Sequence, residues 1–123
     1  MTIVGHLING EIRTDAERLQ DVFNPATGLA TKQVALATKA TVEEAIEAAQ
    51  AAFPAWRNTP VGKRAAVMFR FKALLEQHSD TICRMIGEEH GKIGHDAAGE
   101  LQRGLENVEY ACGVAELLKG EHS

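Results

Sequence analysis

The chain has 123 residues, 45% of them hydrophobic and 24% charged, with a net charge of −4 and an isoelectric point near 5.7. That length suits one hydrophobic core, and the composition, with a mean hydropathy of −0.17, excludes disordered and membrane-spanning classes. Acidity and 5% aromatic content leave neither the basic footprint nor the stacking platform of a nucleic-acid binder, nor a surface for anionic membranes.

The opening "MTIVGHLING" lacks a basic region followed by a sustained apolar run, so no signal peptide is expected. The expected compartment is the cytosol, or the mitochondrial matrix for a eukaryotic source. In "HLINGEI", Asn9-Gly10 between short apolar arms predicts a hairpin. "DVFNPATG" brings Val22-Phe23, an Asn24-Pro25 break and a Thr27-Gly28 turn, and "ATKQVALA" spaces Val34 and Leu36 two apart. Residues 6–37 therefore read as two small β-hairpins, which need a surface to pack on.

From Thr41 the pattern is helical. "TVEE" forms a capping box with Thr41 as N-cap and Glu44 three residues later. Ala45, Ile46, Ala49, Ala52 and Phe53 make an apolar face, Pro54 is expected to end the helix, and Trp56 anchors the linker that follows. Thr59-Pro60 opens a second helix as N-cap and first residue. Its expected buried face is Val61, Ala65, Met68, Phe71, Leu74 and Leu75. "HSD" at 78–80 breaks it, and Ile82, Met85 and Ile86 carry a third helix to Gly91, which suits a left-handed cap. "KIGHD" is a joint, Asp96 caps a long fourth helix, and that helix runs to Lys119-Gly120. The organisation is a hairpin segment over 1–38 and a four-helix segment over 39–123: an α+β chain, mainly helical, with two N-terminal β-hairpins.

Several motifs imitate chemistry without carrying it. "GEEHGKI" has three residues between its glycines, where a phosphate loop has four, and Ile93 follows Lys92 where Ser or Thr would reach magnesium. A helix C-terminus with Lys92 near its negative end is the better reading. No G-x-G-x-x-G occurs to hold a pyrophosphate. His78, His90 and His95, taken with Cys83 or Glu89, form no recognised zinc spacing, so no metal site is expected. Cys83 and Cys112 sit at helix-periodic apolar positions and read as buried free thiols, not as nucleophiles.

"GELQRGLENVEYACG" (99–113) is different. Leu101, Leu105, Val108, Cys112 and Ala115 form an apolar helical stripe, yet the segment also holds Gly99, Gly104 and Gly113. An interior glycine costs a helix about 0.5–1 kcal/mol against alanine. Arg103 lies nearly opposite Leu101, beside Gly99, Glu100, Asn107 and Tyr110. It reads either as an i,i+3 partner of Glu100 on a solvated face, or as a carboxylate-gripping group in a niche that the glycines clear. From the residues alone both readings stand.

"FNPATG", "AAFPAWRNTPVGKRAAVMFRFKALLEQH", "EEHGK" and the glycine-bearing helix together resemble the N-terminus of aldehyde dehydrogenases. Segment 99–120, with "LLKGE", most resembles the CoA-acylating branch, methylmalonate-semialdehyde dehydrogenase. The resemblance covers essentially the whole chain. It implies the N-terminal part of an α/β fold whose full members add a catalytic cysteine, an NAD-binding domain of Rossmann type and an oligomerisation domain. Helices 39–123 would then be an incomplete part of the NAD-binding domain.

The implied reaction oxidises the semialdehyde to an acyl-CoA with loss of CO2, using NAD and CoA. The resemblance implies a homo-oligomer, dimer or tetramer, when full-length. It also implies that Arg103 holds the acid end of the substrate. Since neither Cys83 nor Cys112 matches the nucleophile's motif, the chain alone is expected to bind no cofactor and to be inactive. Where the family usually places threonine or another small polar residue after "GK", this chain has Ile93-Gly94-His95. A second reading is a helical module, without catalysis, that associates with dehydrogenase subunits or other partners through its wide apolar stripes.

Overall fold

The structure is a computed structural model and describes residues 1–121; His122 and Ser123, the end of "KGEHS", lie outside the described residues. The chain divides into two compact units, Met1–Arg57 and Asn58–Ser123.

The first unit opens with β1 (Thr2–Val4), then β2 (His6–Ile8) and β3 (Glu11–Arg13), followed by β4 (Arg18–Asn24) and β5 (Leu29–Leu36). Both expected hairpins form. In β2–β3, Ile8 pairs Glu11 across Asn9-Gly10, and both turn residues take positive φ, 50° and 83°. Two left-handed residues in succession give the turn whose twist matches the strands, which is why Asn-Gly suits it. In β4–β5, Asn24 Oδ1 accepts from Ala26 N at 2.9 Å and its carbonyl accepts from Gly28 N at 2.8 Å, with Gly28 at φ 70°. The side chain thus mimics one limb of the turn.

One pairing departs from the expectation. β1 runs parallel to β5, Ile3 opposite Gln33, giving a three-stranded sheet in the order β1-β5-β4. A three-residue strand whose partner lies some thirty positions on leaves no local mark in sequence. Helix α1 (Lys39–Asn58) completes this unit.

Two expectations about α1 are corrected. Its cap is Thr38: Thr38 Oγ1 accepts from Thr41 N at 3.2 Å, and its carbonyl accepts from Val42 N at 3.1 Å. Thr41 lies inside the first turn, its hydroxyl 2.9 Å from that of Thr38. Pro54 stands within the helix, which continues to Asn58. Trp56, expected in a linker, therefore lies within the helix, 46% exposed, and the apolar face is open, with Ile46 59% and Phe53 58% exposed. Arg13 of β3 ties to α1 through Nη2 and Glu44 Oε1 at 2.8 Å.

The second unit contains α2 (Val61–Gln77), α3 (Ser79–His90), α4 (Gly94–Cys112) and the one-turn α5 (Val114–Leu117). Helix α2 starts one residue later than expected, with Pro60 as N-cap and no side-chain cap bond. Its inner line is Val61, Ala65, Met68, Lys72 and Leu75, while Phe71 and Leu74 are exposed. The break between α2 and α3 narrows to His78, since Ser79 and Asp80 already belong to α3. Gly91 ends α3 in the left-handed region at φ 79°, its N–H bonding Gly87 O at 3.0 Å, as its sequence position predicts.

Ile93, not Asp96, is the N-cap of α4; Asp96 sits in the first turn, where the helix dipole favours an acid. The long fourth helix is interrupted at Gly113 and resumes as α5. The stripe Leu101, Leu105, Val108, Cys112 and Ala115 does face inward, joined by Ala97, which has no exposed surface.

Candidate functional site

Arg103 is exposed on α4, as the helical wheel predicts. Its Nη2 donates to Glu100 Oε1 at 2.9 Å, and its side chain keeps 70% of its surface open. Asn107 Nδ2 donates to the Arg103 carbonyl at 2.7 Å, one turn on. A Cβ built on Gly99 or Gly104 would meet nothing within 4 Å, so both glycines leave open space beside the arginine.

The i,i+3 pair is thus present, but it is part of something larger. Glu100 Oε1 also accepts from Lys92 Nζ, which reaches over from the joint between α3 and α4. Lys92 is the best covered of the three side chains, at 24% exposed. The joint brings it there because Gly91 reverses the backbone in a conformation few side chains allow. Beside this ion pair lies an open cleft of about 420 Å³ lined by Ile86, Glu89, His90, Lys92 and Glu100.

The bonds from Lys92 and then Arg103 hold the Glu100 carboxyl below its ordinary value of 4.5. Because the folded value is lowered, the stabilisation is complete above 4.5 and is lost as pH falls through the lowered value. Two cations on one carboxylate leave the trio with a net charge of +1 at neutral pH.

Elsewhere, Cys112 is buried and Cys83 half-buried, both as free thiols. Among the described residues, no three of His, Cys, Asp and Glu gather as metal ligands. No helix among them is long and apolar enough to cross a membrane. Sequence reasoning missed His6, whose Nε2 is buried without a partner in the first unit. A lone histidine at the start of a three-residue strand gives no sequence signal.

The β5–α1 passage does not fit a pyrophosphate. The strand-to-helix passage from β5 into α1 has no glycine, and Thr38 already occupies a terminal amide of α1. Lys92, the one cation of the phosphate-loop imitation, is engaged by Glu100.

The glycines of α4 permit a direct test. With open space at both positions, Gly99→Ala and Gly104→Ala should each stabilise the helical unit by about 0.5–1 kcal/mol in urea denaturation followed by circular dichroism. If the same substitutions weaken binding of an acidic aldehyde in a complete enzyme, the space serves the ligand and not the fold.

Residues 12–123 match the aldehyde dehydrogenase family. The malonate-semialdehyde dehydrogenase of Pseudomonas aeruginosa is 60% identical over all 123 residues, which make up 25% of that protein. Malonate-semialdehyde dehydrogenase 2 of Oceanobacillus iheyensis is 44% identical over 96% of this chain and 24% of its own. Among solved structures, the methylmalonate-semialdehyde dehydrogenase of Oceanimonas doudoroffii superposes on the whole chain with a TM-score of 0.97 and 72% identity, over 25% of its length. A Sinorhizobium meliloti protein provisionally named methylmalonate-semialdehyde dehydrogenase, solved with NAD, follows at 0.96 and 39%, again over 25% of its length. The chain therefore spans about a quarter of the length of these relatives. Strands, helices and sequence agree: this chain belongs to the aldehyde dehydrogenase family.

Proposed function

We propose that this chain acts as the N-terminal quarter of an NAD-dependent, CoA-acylating dehydrogenase of malonate or methylmalonate semialdehyde. The observation that carries this reading is the 60% identity to a malonate-semialdehyde dehydrogenase over every residue of the chain. In this role residues 39–123 contribute helices to the cofactor-binding domain, and the hairpin segment 1–38 packs against later parts of the fold. Arg103 binds the carboxylate that distinguishes these substrates from simple aldehydes. The guanidinium donors that the single Glu100 bond leaves free and the open space at Gly99 and Gly104 support that role. NAD would accept the hydride and CoA the acyl group, both held by residues outside this chain. The complete protein works as a homo-oligomer, dimer or tetramer, in the cytosol or the mitochondrial matrix.

The test is a chimera in which residues 1–123 replace the matching quarter of the Oceanimonas doudoroffii enzyme, 72% identical here. The expected result is CoA-dependent NADH formation from malonate semialdehyde by the chimera, and none by the 123-residue chain alone. A folded chimera without activity, paired with a free chain that binds intact subunits, would instead support the helical interaction module.

A further inference from the structure

We propose that Glu100 is a positioning residue for Arg103, aiming the guanidinium at a substrate carboxylate while Lys92 holds Glu100 in place. The proposal rests on the reading of Arg103 as the carboxylate-binding group.

One oxygen carries the arrangement. Glu100 Oε1 accepts from Arg103 Nη2 on its own helix and from Lys92 Nζ on the preceding joint. Among the described residues, no second ion pair fixes the arginine. Its side chain is 70% exposed, and the adjacent Gly99 and Gly104 offer no side-chain wall. A long, flexible side chain without packing samples many rotamers, and ordering it on binding weakens affinity. The Glu100 bond engages one terminal nitrogen and leaves the rest of the five-donor fork to grip a carboxylate.

Glu100 by itself would also cancel the charge that attracts the substrate. Lys92 prevents this, because with it the trio remains cationic. Lys92 in turn reaches Glu100 only through the left-handed turn at Gly91. The joint Ile93-Gly94-His95 directly follows Lys92 and opens α4. The aim of the arginine is thereby coupled to the conformation of that joint.

The test measures kcat and KM of the chimera, for malonate semialdehyde and for propanal, which has the same length and no carboxylate. Variants are Glu100→Ala, Glu100→Asp and Lys92→Met, with Arg103→Met as reference. For Glu100→Ala, the KM for malonate semialdehyde should rise about 5- to 20-fold, with kcat within about twofold and propanal unaffected. Lys92→Met should give a smaller rise in the same direction, and Glu100→Asp should recover part of the loss.

If Glu100→Ala leaves the two-substrate ratio unchanged while Arg103→Met abolishes it, the positioning role is wrong and the reading of Arg103 survives. If Arg103→Met also leaves the ratio unchanged, that reading falls and this proposal with it. An equal rise in KM for both aldehydes would mean a merely structural role. A lowered KM for malonate semialdehyde would mean that Glu100 competes with the substrate. Either result overturns the proposal.

Discussion

Replacing Arg103 by methionine in the chimera is expected to raise the KM for malonate semialdehyde about 30- to 150-fold, the usual worth of hydrogen bonds between charged groups. Turnover of propanal should stay within about twofold, because propanal brings no carboxylate for the guanidinium to hold. The selectivity ratio is therefore the quantity to read, since it cancels any general effect on the fold. Arg103→Lys should recover only part of the loss: an ammonium keeps the charge but not the planar fork that fits two carboxylate oxygens. The competing reading, an ion pair with Glu100 on a solvated face, leads to a different outcome. An exposed pair at 2.9 Å with 70% of the arginine open contributes little to stability, so its loss would leave both substrates unaffected. Steady-state kinetics with the two aldehydes separates the readings in one experiment.

The second large effect concerns the fold. Gly5→Ala is expected to destabilise the first unit by about 3 kcal/mol, measured as the shift in urea midpoint followed by circular dichroism. A Cβ at Gly5 would run into the Arg13 carbonyl oxygen, with the Arg13 carbonyl carbon at 2.9 Å and Thr14 Cγ2 at 3.0 Å. Backbone cannot yield as a side-chain tip does. Arg13 is also held on two sides, by its pairing with His6 across β2–β3 and by its 2.8 Å bond to Glu44 of α1. Relieving the clash means moving the end of the hairpin or giving up that tie. Gly10 provides the contrast: it has open space around it, but its φ of 83° makes alanine costly for conformational reasons. Gly99 and Gly104 complete the series, with neither clash nor positive φ, so their replacement should stabilise. Four glycines thus give effects of different sign and origin.

Much of the chain was legible because the deciding interactions are local. Asn9-Gly10 and Asn24 through Gly28 specify their turns through the φ values and the side-chain bond that the residues themselves supply. The left-handed stop at Gly91 and the 3.6-residue stripe from Leu101 to Cys112 are equally short-range, and each stands where its spacing puts it. Errors arose where two nearby residues compete for one role. Thr38 and Thr41 can each cap α1, and the chain direction leaving β5 chose Thr38. Pro54 should stop a helix by propensity, yet α1 passes through it. Gly113 cost the fourth helix its continuity, although the apolar stripe runs past it to Ala115.

The site divides along the same line. Helical geometry alone places Glu100 and Arg103 three residues apart on one face, so the sequence determined that pair, along with both hairpins and the family resemblance. It did not determine that Lys92, eight residues before Glu100, would reach the same oxygen, because that depends on how the Gly91 turn redirects the chain. Nor did it determine the parallel pairing of β1 with β5, made by residues distant in the chain. Side-chain period and turn chemistry act within a few residues and can be read from order alone. Contacts across a reversed backbone depend on every dihedral in between, and only the tertiary structure decides them.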